Sequence, residues 1–264
     1  MKTEPDKPFP GSREDRLRSF LIASGQAAGI LCLDETDSTN LRLKAWARAG
    51  KIKPPFLLTA DTQTAGRGRL GRVFVSPPGT GLYMSLFLPP VPETENSGVT
   101  ILAAVAVCRA IEEETGLHPK IKWVNDLFLR GRKICGILAE GIEEGVILGI
   151  GVNLRTPPGG FPSQAGPAGA LDAPADPIRL AALITRHVLE GAPHPLAPAI
   201  LDGYRDRMPL IGRTVRYIQD GQEKSARVTG VKEDGGLMVE ADGKEAVLRS
   251  GEISLGSQSF LGLE

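Results

Sequence analysis

One segment of this sequence requires burial on nearly every side. Residues 98–115, GVTILAAVAVCRAIEEET, are apolar around most of a helical circumference until Arg109, and such a helix must be covered by other elements. Gly116 and Pro119 follow and predict its end. A chain of 264 residues, 41% of them hydrophobic, is long enough to supply that cover. The sequence therefore predicts one large domain around a central buried helix, alone or with a small appendage.

Shorter segments on both sides of this helix alternate between strand-like and helix-like patterns. Strands are predicted at residues 30–36, 56–63 and 81–88. Apolar spacing predicts a helix at 13–24, and an N-cap at Asp37, Ser38 or Thr39 with Gly50 at the end predicts one within 37–50. Helices are also expected at 177–190 and 196–207. Residues 120–154 hold strand-like runs separated by the turns RGR and EEG, which indicates an antiparallel meander. We therefore predict the α+β fold class, with a mixed or antiparallel sheet packed by helices.

Composition divides the chain into regions. Residues 155–177 are rich in Pro, Gly and Ala without periodicity, which predicts an irregular excursion from the domain. After Pro209 come short strands with turns at QDGQ, EDGG and ADGK, a spacing typical of a small SH3-like β-barrel. We predict three regions, namely a disordered amino-terminal segment at 1–12, a main domain at 13–208 and an SH3-like domain at 209–264.

Charge and cysteine content restrict the partners and the compartment. The 31 basic and 31 acidic residues leave no net charge, so no global field recruits nucleic acid or an anionic membrane, and any anion site must be local. Cys32, Cys108 and Cys135 have no CxxC spacing, which argues against a disulfide framework and a structural zinc site. We expect a cytoplasmic protein, because the amino end has no signal-peptide core and no run of about 18 apolar residues follows.

Arginine and glycine alternate in the segment TQTAGRGRLGR, residues 62–72. Glycine lets a ligand approach the backbone, and the arginine fork suits carboxylates and phosphates. The segment predicts a loop that closes on an anion. A solvated surface turn or a nucleic-acid contact is the alternative, because short Arg/Gly matches are unspecific.

The predicted meander at residues 120–154 adds polar groups that could join this loop. Lys133 follows a hairpin turn between Gly131 and Gly136, where a ligand would find room, and it is otherwise a solvated turn lysine. Asn125 and Asp126 in KWVND are either a turn pair or groups that orient a metal-bound phosphate. With Lys122, these residues predict a cationic patch if the sheet brings their strands together.

Two further patterns indicate no catalytic role. GIGVNL at 149–154 lacks the third glycine and the following helix of a dinucleotide fingerprint, so we reject a Rossmann fold there. Its glycines predict a groove beside a strand. His118, His187 and His194 lack metal-ligand spacing, and we interpret them as surface or hydrogen-bonded histidines.

The joint order and spacing of these motifs resembles the biotin protein ligases over roughly residues 30–255. The motifs are DETDSTN (34–40), QTAGRGRLGR (63–72), GLYMSLFL (81–88), KWVNDL (122–127), GRKICGILAE (131–140), GIGVNL (149–154) and SGEISL (250–255). The resemblance implies an α+β catalytic ligase domain at 13–208, followed by the SH3-like domain.

The resemblance also implies the chemistry. The carboxylate of biotin attacks the α-phosphate of MgATP to give biotinyl-5'-AMP and pyrophosphate. A lysine amine of a biotin carboxyl carrier protein then attacks this mixed anhydride, takes the biotin and releases AMP. ATP, Mg²⁺ and biotin are the expected cofactors and substrates, with no structural metal. A lipoate-protein ligase is the alternative enzyme, although it needs a longer acyl tunnel and has no reason to use GRGRLGR. A nucleic-acid-binding module is opposed by the neutral charge and by the lack of a stacking platform.

The resemblance assigns three overlapping sets of residues. The implied catalytic residues are Lys133, Arg69 and Asp126, the last also for Mg²⁺. The implied biotin-binding residues, of which the first three would hold the ureido ring, are Ser38, Thr39, Gln63, Gly66, Arg67, Arg69, Lys133 and Gly136. The implied nucleotide-binding residues are Arg67, Arg72, Phe74, Asn125, Lys133 and Asn153.

The sequence departs from the family pattern at three positions. Phe74 stands where many members have tryptophan, which keeps an aromatic face. Val124 replaces a proline, so a turn constraint is lost, and Gly256 replaces an arginine that in the family implies a nucleotide contact from the small domain. Only a short segment precedes DETDSTN, so we expect a short form without a DNA-binding domain and no DNA partner. A homodimer stays an open alternative.

Overall fold

The structure of the protein is a computed structural model that describes residues 11–91, 96–219, 221–249 and 253–254. The predicted disordered segment 1–12 lies outside the described residues except for its last two positions. Gly256 and most of the SGEISL motif also lie outside them.

The described ranges contain five α-helices and twelve β-strands. The helices are α1 (Arg13–Ala23), α2 (Thr39–Arg48), α3 (Asn96–Thr115), α4 (Pro177–Gly191) and α5 (Pro198–Asp206). The strands are β1 (Gly29–Thr36), β2 (Phe56–Gln63), β3 (Gly81–Leu88), β4 (Lys120–Lys122), β5 (Asp126–Leu129), β6 (Arg132–Ile142), β7 (Gly145–Asn153), β8 (Thr214–Gln219), β9 (Gln222–Val231), β10 (Leu237–Ala241), β11 (Lys244–Leu248) and β12 (Ile253–Ser254).

Strands β1 to β7 form one mixed sheet. Among the described residues its order is β1-β2-β3-β7-β6-β5-β4. β1 and β2 are parallel and are connected through α2, as a parallel pair requires a crossover. All other neighbours are antiparallel, and β4 to β7 form the predicted meander. The predicted α+β class with a mixed sheet is confirmed.

Helix α3 is the buried centre of the main domain. Residues 101–108 are at most 3% exposed, and α4, α5 and the β5–β6 region pack around the helix. The apolar circumference seen in the sequence therefore has the predicted cover on every side. None of the helices in the described ranges is long and apolar enough to span a bilayer.

The predicted excursion at 155–177 is only partly correct, because its second half returns to the sheet. The backbone of Lys133 donates to Pro167 O (2.8 Å) and accepts from Gly169 N (2.9 Å). Leu171 N donates to Asn153 O (3.0 Å), and the Leu171 side chain is fully buried. Backbone hydrogen bonds make this pairing. It could not be predicted from the sequence, because the segment has no hydrophobic periodicity.

Strands β8 to β12 form a second, antiparallel sheet in the order β11-β10-β9-β8-β12. This sheet docks on the main domain: Trp123 Nε1 donates to Gly235 O (3.2 Å), and Arg205 Nη2 donates to Val231 O (2.8 Å). Its side chains share one hydrophobic core with α3. The predicted small β domain is present, and the boundary between residues 208 and 209 stays a prediction.

The central position of α3 can be tested by truncating Ile111, which is fully buried. Ile111→Ala is expected to lower the free energy of unfolding by about 2–5 kcal/mol, because the lost side chain leaves a cavity. Ile22→Ala on α1, where the side chain is 66% exposed, is expected to change it by less than about 0.5 kcal/mol. Urea denaturation measures both, and equal losses would contradict the central role of α3.

Candidate functional site

Three predicted ring-binding residues meet where β1 and β2 end. These strands are parallel, with Thr36 paired to Gln63, so the corner between β1 and α2 lies beside the end of β2. Thr39 N donates to Gln63 Oε1 (2.9 Å), and Thr39 Oγ1 lies 3.2 Å from the same oxygen. Ser38 and Thr39 are 2% and 3% exposed. The structure therefore places Ser38, Thr39 and Gln63 in one buried polar corner.

The arginine loop, residues 64–75, starts from this corner and forms a hairpin. Ala65 N donates to Asp37 O (2.8 Å), Phe74 N to Gly66 O (2.9 Å) and Gly68 N to Arg72 O (2.8 Å). A Cβ atom on Gly66 would lie 2.3 Å from Phe74 O, so the hairpin closes only with glycine there. The loop thus begins and ends beside Gln63.

Arg69 connects the arginine loop to the meander formed by β4 to β7. Its Nη1 donates to Asn125 Oδ1 at 2.8 Å, and the side chain is half-buried, whereas Arg67 and Arg72 are exposed. Two segments that are 56 residues apart in the chain are thereby joined. The loop and the KWVND motif thus lie together, which is the condition on which the predicted cationic patch depends.

Lys133 and Asp126 form an ion pair next to this contact. Lys133 Nζ lies 2.7 Å from Asp126 Oδ1, and the side chains are 29% and 20% exposed. Asn125 Nδ2 donates to the same carboxylate oxygen and to Ile137 O, each at 3.0 Å. The carboxylate of Asp126 therefore orients both Lys133 and Asn125.

A β-bulge places Lys133 on the face of the sheet that carries the site. The β5–β6 register runs from Leu127 opposite Cys135 to Phe128 opposite Lys133, so one residue of β6 is left over. In an unbroken ladder Lys133 would point to the opposite face, because side chains alternate along a strand. The position of Lys133 relative to Gly136 confirms its direction: a Cβ atom on Gly136 would be 3.5 Å from Lys133 Nζ.

Phe74 lies against two glycines at the centre of this cluster. Gly136 and Gly151 are cross-strand partners, and a Cβ atom on either would lie 3.3 Å or 2.5 Å from the Phe74 ring. Tyr83 contacts the ring edge at a centroid distance of 6.3 Å. The space that Gly136 and Gly151 leave beside the strands is therefore filled by the Phe74 ring, and the groove predicted beside GIGVNL stays a prediction.

Asn153 is placed differently from the other predicted residues. It is 8% exposed, and its Nδ2 donates to Gly169 O (2.9 Å). Gly169 N in turn donates to Lys133 O (2.9 Å). The side chain thus supports the segment that holds the backbone of Lys133.

Several contributing residues were not found from the sequence. Ser76 Oγ accepts from Gln63 Nε2 (3.0 Å), Tyr83 contacts Phe74, and Ser85 is fully buried beside Thr39. One signal was available: Ser85 is a hydroxyl within an otherwise apolar strand, and buried polar groups need partners. Ser76 lies in a break before two prolines and carried no comparable signal.

The described part of this cluster contains neither a multi-residue metal centre nor a reactive thiol. In the ranges that the structure describes, no group of three or more His, Cys, Asp or Glu residues could hold a metal ion. Burial raises the pKa of Cys135 well above its usual value, so its thiol stays protonated and unreactive. A cavity of about 260 Å³ lies elsewhere, between α3, α4 and α5, and is lined by Arg109, His187 and His194 among others.

The contact between Phe74 and Gly151 can be tested by a double-mutant cycle. Gly151→Ala is expected to lower the free energy of unfolding by about 1–3 kcal/mol, because the new Cβ displaces the ring. Phe74→Ala in the same chain removes the clash, so the double variant should be more stable than the two single changes predict. Gly141→Ala, also in β6–β7 hairpin geometry but with open space around it, is the control. Additive effects of Gly151→Ala and Phe74→Ala would contradict the contact.

The sequence matches known proteins over both domains. Residues 32–156 match the biotin/lipoate A/B protein ligase family, and residues 210–256 match the biotin protein ligase C terminal domain. The bifunctional ligase/repressor BirA of Bacillus subtilis (strain 168) is 46% identical over 114 residues, which is 41% of this chain and 35% of that protein. The match thus spans about a third of that relative's length.

Two further matches extend over nearly the whole chain. The biotin--[acetyl-CoA-carboxylase] ligase of Mycobacterium tuberculosis (strain ATCC 25618 / H37Rv) is 31% identical over 266 residues, covering 95% of this chain and 98% of that protein. The solved structure of biotin protein ligase from Aquifex aeolicus in complex with biotin and ATP has a TM-score of 0.72 and 27% identity, covering 86% of this chain and 97% of that chain. The chain therefore belongs to the biotin protein ligase family.

Proposed function

We propose that this chain is an ATP-dependent biotin protein ligase. It activates biotin to biotinyl-5'-AMP and transfers the biotin to a lysine of a biotin carboxyl carrier protein or domain. The observation that carries the proposal is the contact of Arg69 with Asn125, which closes the arginine loop over the Lys133–Asp126 pair. Arg69 and Lys133 together form a cationic centre. This centre lies next to the polar corner of Thr39 and Gln63.

The cationic centre suits the adenylation step. A biotin carboxylate must approach the α-phosphate, and two anions repel each other unless cations lie between them. Lys133 bridges the carboxylate and the α-phosphate, and Arg69 stabilises the charge that develops on the phosphoryl oxygens. Asp126 holds the Lys133 ammonium in place before the substrates arrive, which reduces reorganisation during the reaction.

The remaining predicted residues suit the two ends of the substrate pair. Ser38, Thr39 and Gln63 bind the ureido ring, and Gly66 and Gly136 leave room for the ligand beside the backbone. The nucleotide side is formed by two exposed cations, one aromatic ring and two side-chain amides of the meander. These residues are Arg67, Arg72, Phe74, Asn125 and Asn153. Asn153 acts indirectly, through the segment that it holds beside Lys133.

The residues present fit a magnesium ion that arrives with ATP. Mg²⁺ in nucleotide sites is held by one or two carboxylates plus the phosphates, and Asp126 supplies one carboxylate in this cluster. When bound, Mg²⁺ neutralises part of the phosphate charge. We propose no structural metal.

The expected partner is a biotin carboxyl carrier protein or domain, whose lysine reaches the adenylate across the exposed side of the arginine loop. A chain without net charge favours no DNA partner, and a homodimer stays an alternative. Cys32, Cys108 and Cys135 are buried free thiols, which fits the reducing cytoplasm.

The proposal is tested by incubating the protein with ATP, biotin and a purified biotin carboxyl carrier domain. Biotin on the carrier lysine, detected by mass spectrometry, is the expected result, and it should require both ATP and biotin. Parallel reactions with lipoate and a lipoyl domain test the alternative enzyme, and duplex DNA in a binding assay tests the nucleic-acid alternative. Lipoylation without biotinylation would overturn the proposal.

Lys133→Ala is expected to slow biotin-dependent pyrophosphate release by about 10²- to 10³-fold, because one preorganised charge contact is lost. The variant should stay folded, since the Lys133 side chain is 29% exposed. Lys51→Ala, at an exposed position, is the control and should release pyrophosphate at the wild-type rate. Near-normal release by a folded Lys133→Ala protein would remove Lys133 from the reaction.

Arg69→Gly is expected to let biotinyl-5'-AMP escape faster, because the arginine loop loses its bond to Asn125 and its contact with the intermediate. Escaped adenylate would then biotinylate lysines of bystander proteins. The dissociation rate of biotinyl-5'-AMP measures the effect, with Arg48→Ala at an exposed site as the control. An unchanged dissociation rate would show that Arg69 does not retain the intermediate.

A further inference from the structure

A series of buried polar side chains runs from Thr39 through Ser85 and Asn40 to Glu140. Ser85 is fully buried in β3, and Asn40 is 4% exposed in α2. Buried polar groups destabilise a fold unless their hydrogen bonds are satisfied. The proposed reaction assigns no role to Ser85, Asn40 or Glu140, although they lie directly behind the ring-binding corner.

We infer that Glu140, acting through Asn40 and Ser85, is a positioning residue that makes this corner present hydrogen-bond acceptors to the ligand. The inference rests on the proposed function, because it concerns how the ring of biotin is recognised. A ureido ring carries two N–H donors, whereas the dithiolane ring of lipoate carries none. Glu140 would therefore determine ring specificity without touching the ring.

Glu140 fixes the orientation of the Asn40 amide. Asn40 Nδ2 lies 3.1 Å from Glu140 Oε2 and 3.4 Å from Leu138 O, and both of these atoms are acceptors. A flipped amide would place its oxygen against a carboxylate and a carbonyl, so the network permits one orientation. The Asn40 oxygen must therefore point toward Ser85.

Gly149 gives this amide its place on the sheet. A Cβ atom on Gly149 would lie 2.3 Å from Asn40 Oδ1 and 2.9 Å from Nδ2. A side chain at this position would push Asn40 away from Glu140 and Ser85. Gly149 of GIGVNL is thus needed to leave space for the Asn40 side chain. A dinucleotide-binding motif does not explain this glycine.

The Asn40 oxygen determines where the Ser85 proton goes. Ser85 Oγ lies 2.6 Å from Asn40 Oδ1, which can only accept, so Ser85 must donate to it. Ser85 Oγ also lies 2.7 Å from Thr39 Oγ1. A hydroxyl has one proton, so Thr39 must supply the proton of this second hydrogen bond. The opposite arrangement would leave two lone-pair oxygens 2.6 Å apart with no proton between them.

The consequence reaches the ligand through Thr39 and Gln63. Because the Thr39 proton is used on Ser85, it is not donated to Gln63 Oε1, which is 3.2 Å away. Gln63 Oε1 is oriented by Thr39 N, and Gln63 Nε2 is held by Ser76 Oγ at 3.0 Å. Both Thr39 Oγ1 and Gln63 Oε1 keep lone pairs for N–H donors.

The arrangement depends on an ionised Glu140. Lys44 Nζ lies 3.0 Å from Glu140 Oε1, and the two side chains are 23% and 19% exposed. Burial by itself raises the pKa of Glu140, but hydrogen bonds from Lys44 and Asn40 and the charges of Lys44 and Arg67 outweigh it, and the pKa is lowered. The carboxylate is therefore an acceptor at neutral pH.

Glu140→Gln tests the inference, because an amide can donate and no longer fixes Asn40. The KM for biotin is expected to rise about tenfold, as a hydrogen bond that depends on a charge is weakened. The KM for ATP and the kcat at saturating biotin should not change, and a merely structural defect would not separate these values. Glu143→Gln, the same substitution at an exposed position of the same hairpin, is the matched control.

Direct binding distinguishes ring recognition from other effects. Titration calorimetry should show that Glu140→Gln weakens biotin and desthiobiotin equally, because desthiobiotin keeps the ureido N–H groups and lacks the sulfur. Should Glu140→Gln lose its fold, Ser85→Ala carries the same test, since the Thr39 proton then turns to Gln63. Wild-type protein that fails to bind biotin would refute the proposed function. Wild-type binding with unchanged affinity in the folded variants would refute this inference alone.

Discussion

The pairing of the large sheet brings the predicted site residues of β1, β2, β6 and β7 close to one end of the sheet. β1 and β2 are parallel, so both of their carboxyl ends lie there. β3 and β6 begin there and β7 ends there, because each is antiparallel to the neighbour that precedes it in the sheet, and Asp126 at the start of β5 pairs with Gly136 of β6. Residues from 38 to 153 therefore meet without any long connection across the domain. The parallel β1–β2 pair is the step that places the ring-binding corner beside the ends of β3, β6 and β7.

The site stabilises its cations by different means in different places. Lys133 and Arg69 are half-buried and contact Asp126 and Asn125, and the side chains of Arg67 and Arg72 are more exposed to water. An unpaired buried charge would be strongly destabilising, whereas an exposed guanidinium remains hydrated. The chain can therefore hold several positive charges around one small volume before an anion binds.

Much of the fold could be predicted from local patterns, because these patterns are repeated over many residues. The limits of β2 and β3 and the buried helix α3 follow directly from apolar periodicity. The return of residues 167–171 could not be predicted, since backbone hydrogen bonds leave no mark on side-chain pattern. The β-bulge that turns Lys133 to the site face could not be predicted from the sequence either. Lys133 itself was expected in the site.

The candidate site was predictable in its residues but not in their connections. GRGRLGR and KWVND indicated anion-binding groups, yet the Arg69–Asn125 bond joins loops far apart in the chain. Ser85 and Glu140 lie behind the corner, in β3 and β6. The residues that flank them in the sequence predict a strand and do not indicate a role in the site. Only the three-dimensional contacts connect them to Thr39.

Burial separates the two tasks of the site. Ser38 and Thr39 are 2% and 3% exposed and form a neutral hydrogen-bonded corner, whereas the Lys133 side chain is 29% exposed and charged. A charged centre stabilises any acyl-adenylate, because the carboxylate and phosphate are common to all of them. A buried corner with fixed acceptors rejects rings that lack matching donors, since its polar groups would stay unpaired. The proposed reaction therefore assigns discrimination between biotin and other acyl substrates to the ring end, and catalytic charge stabilisation to the Lys133 end.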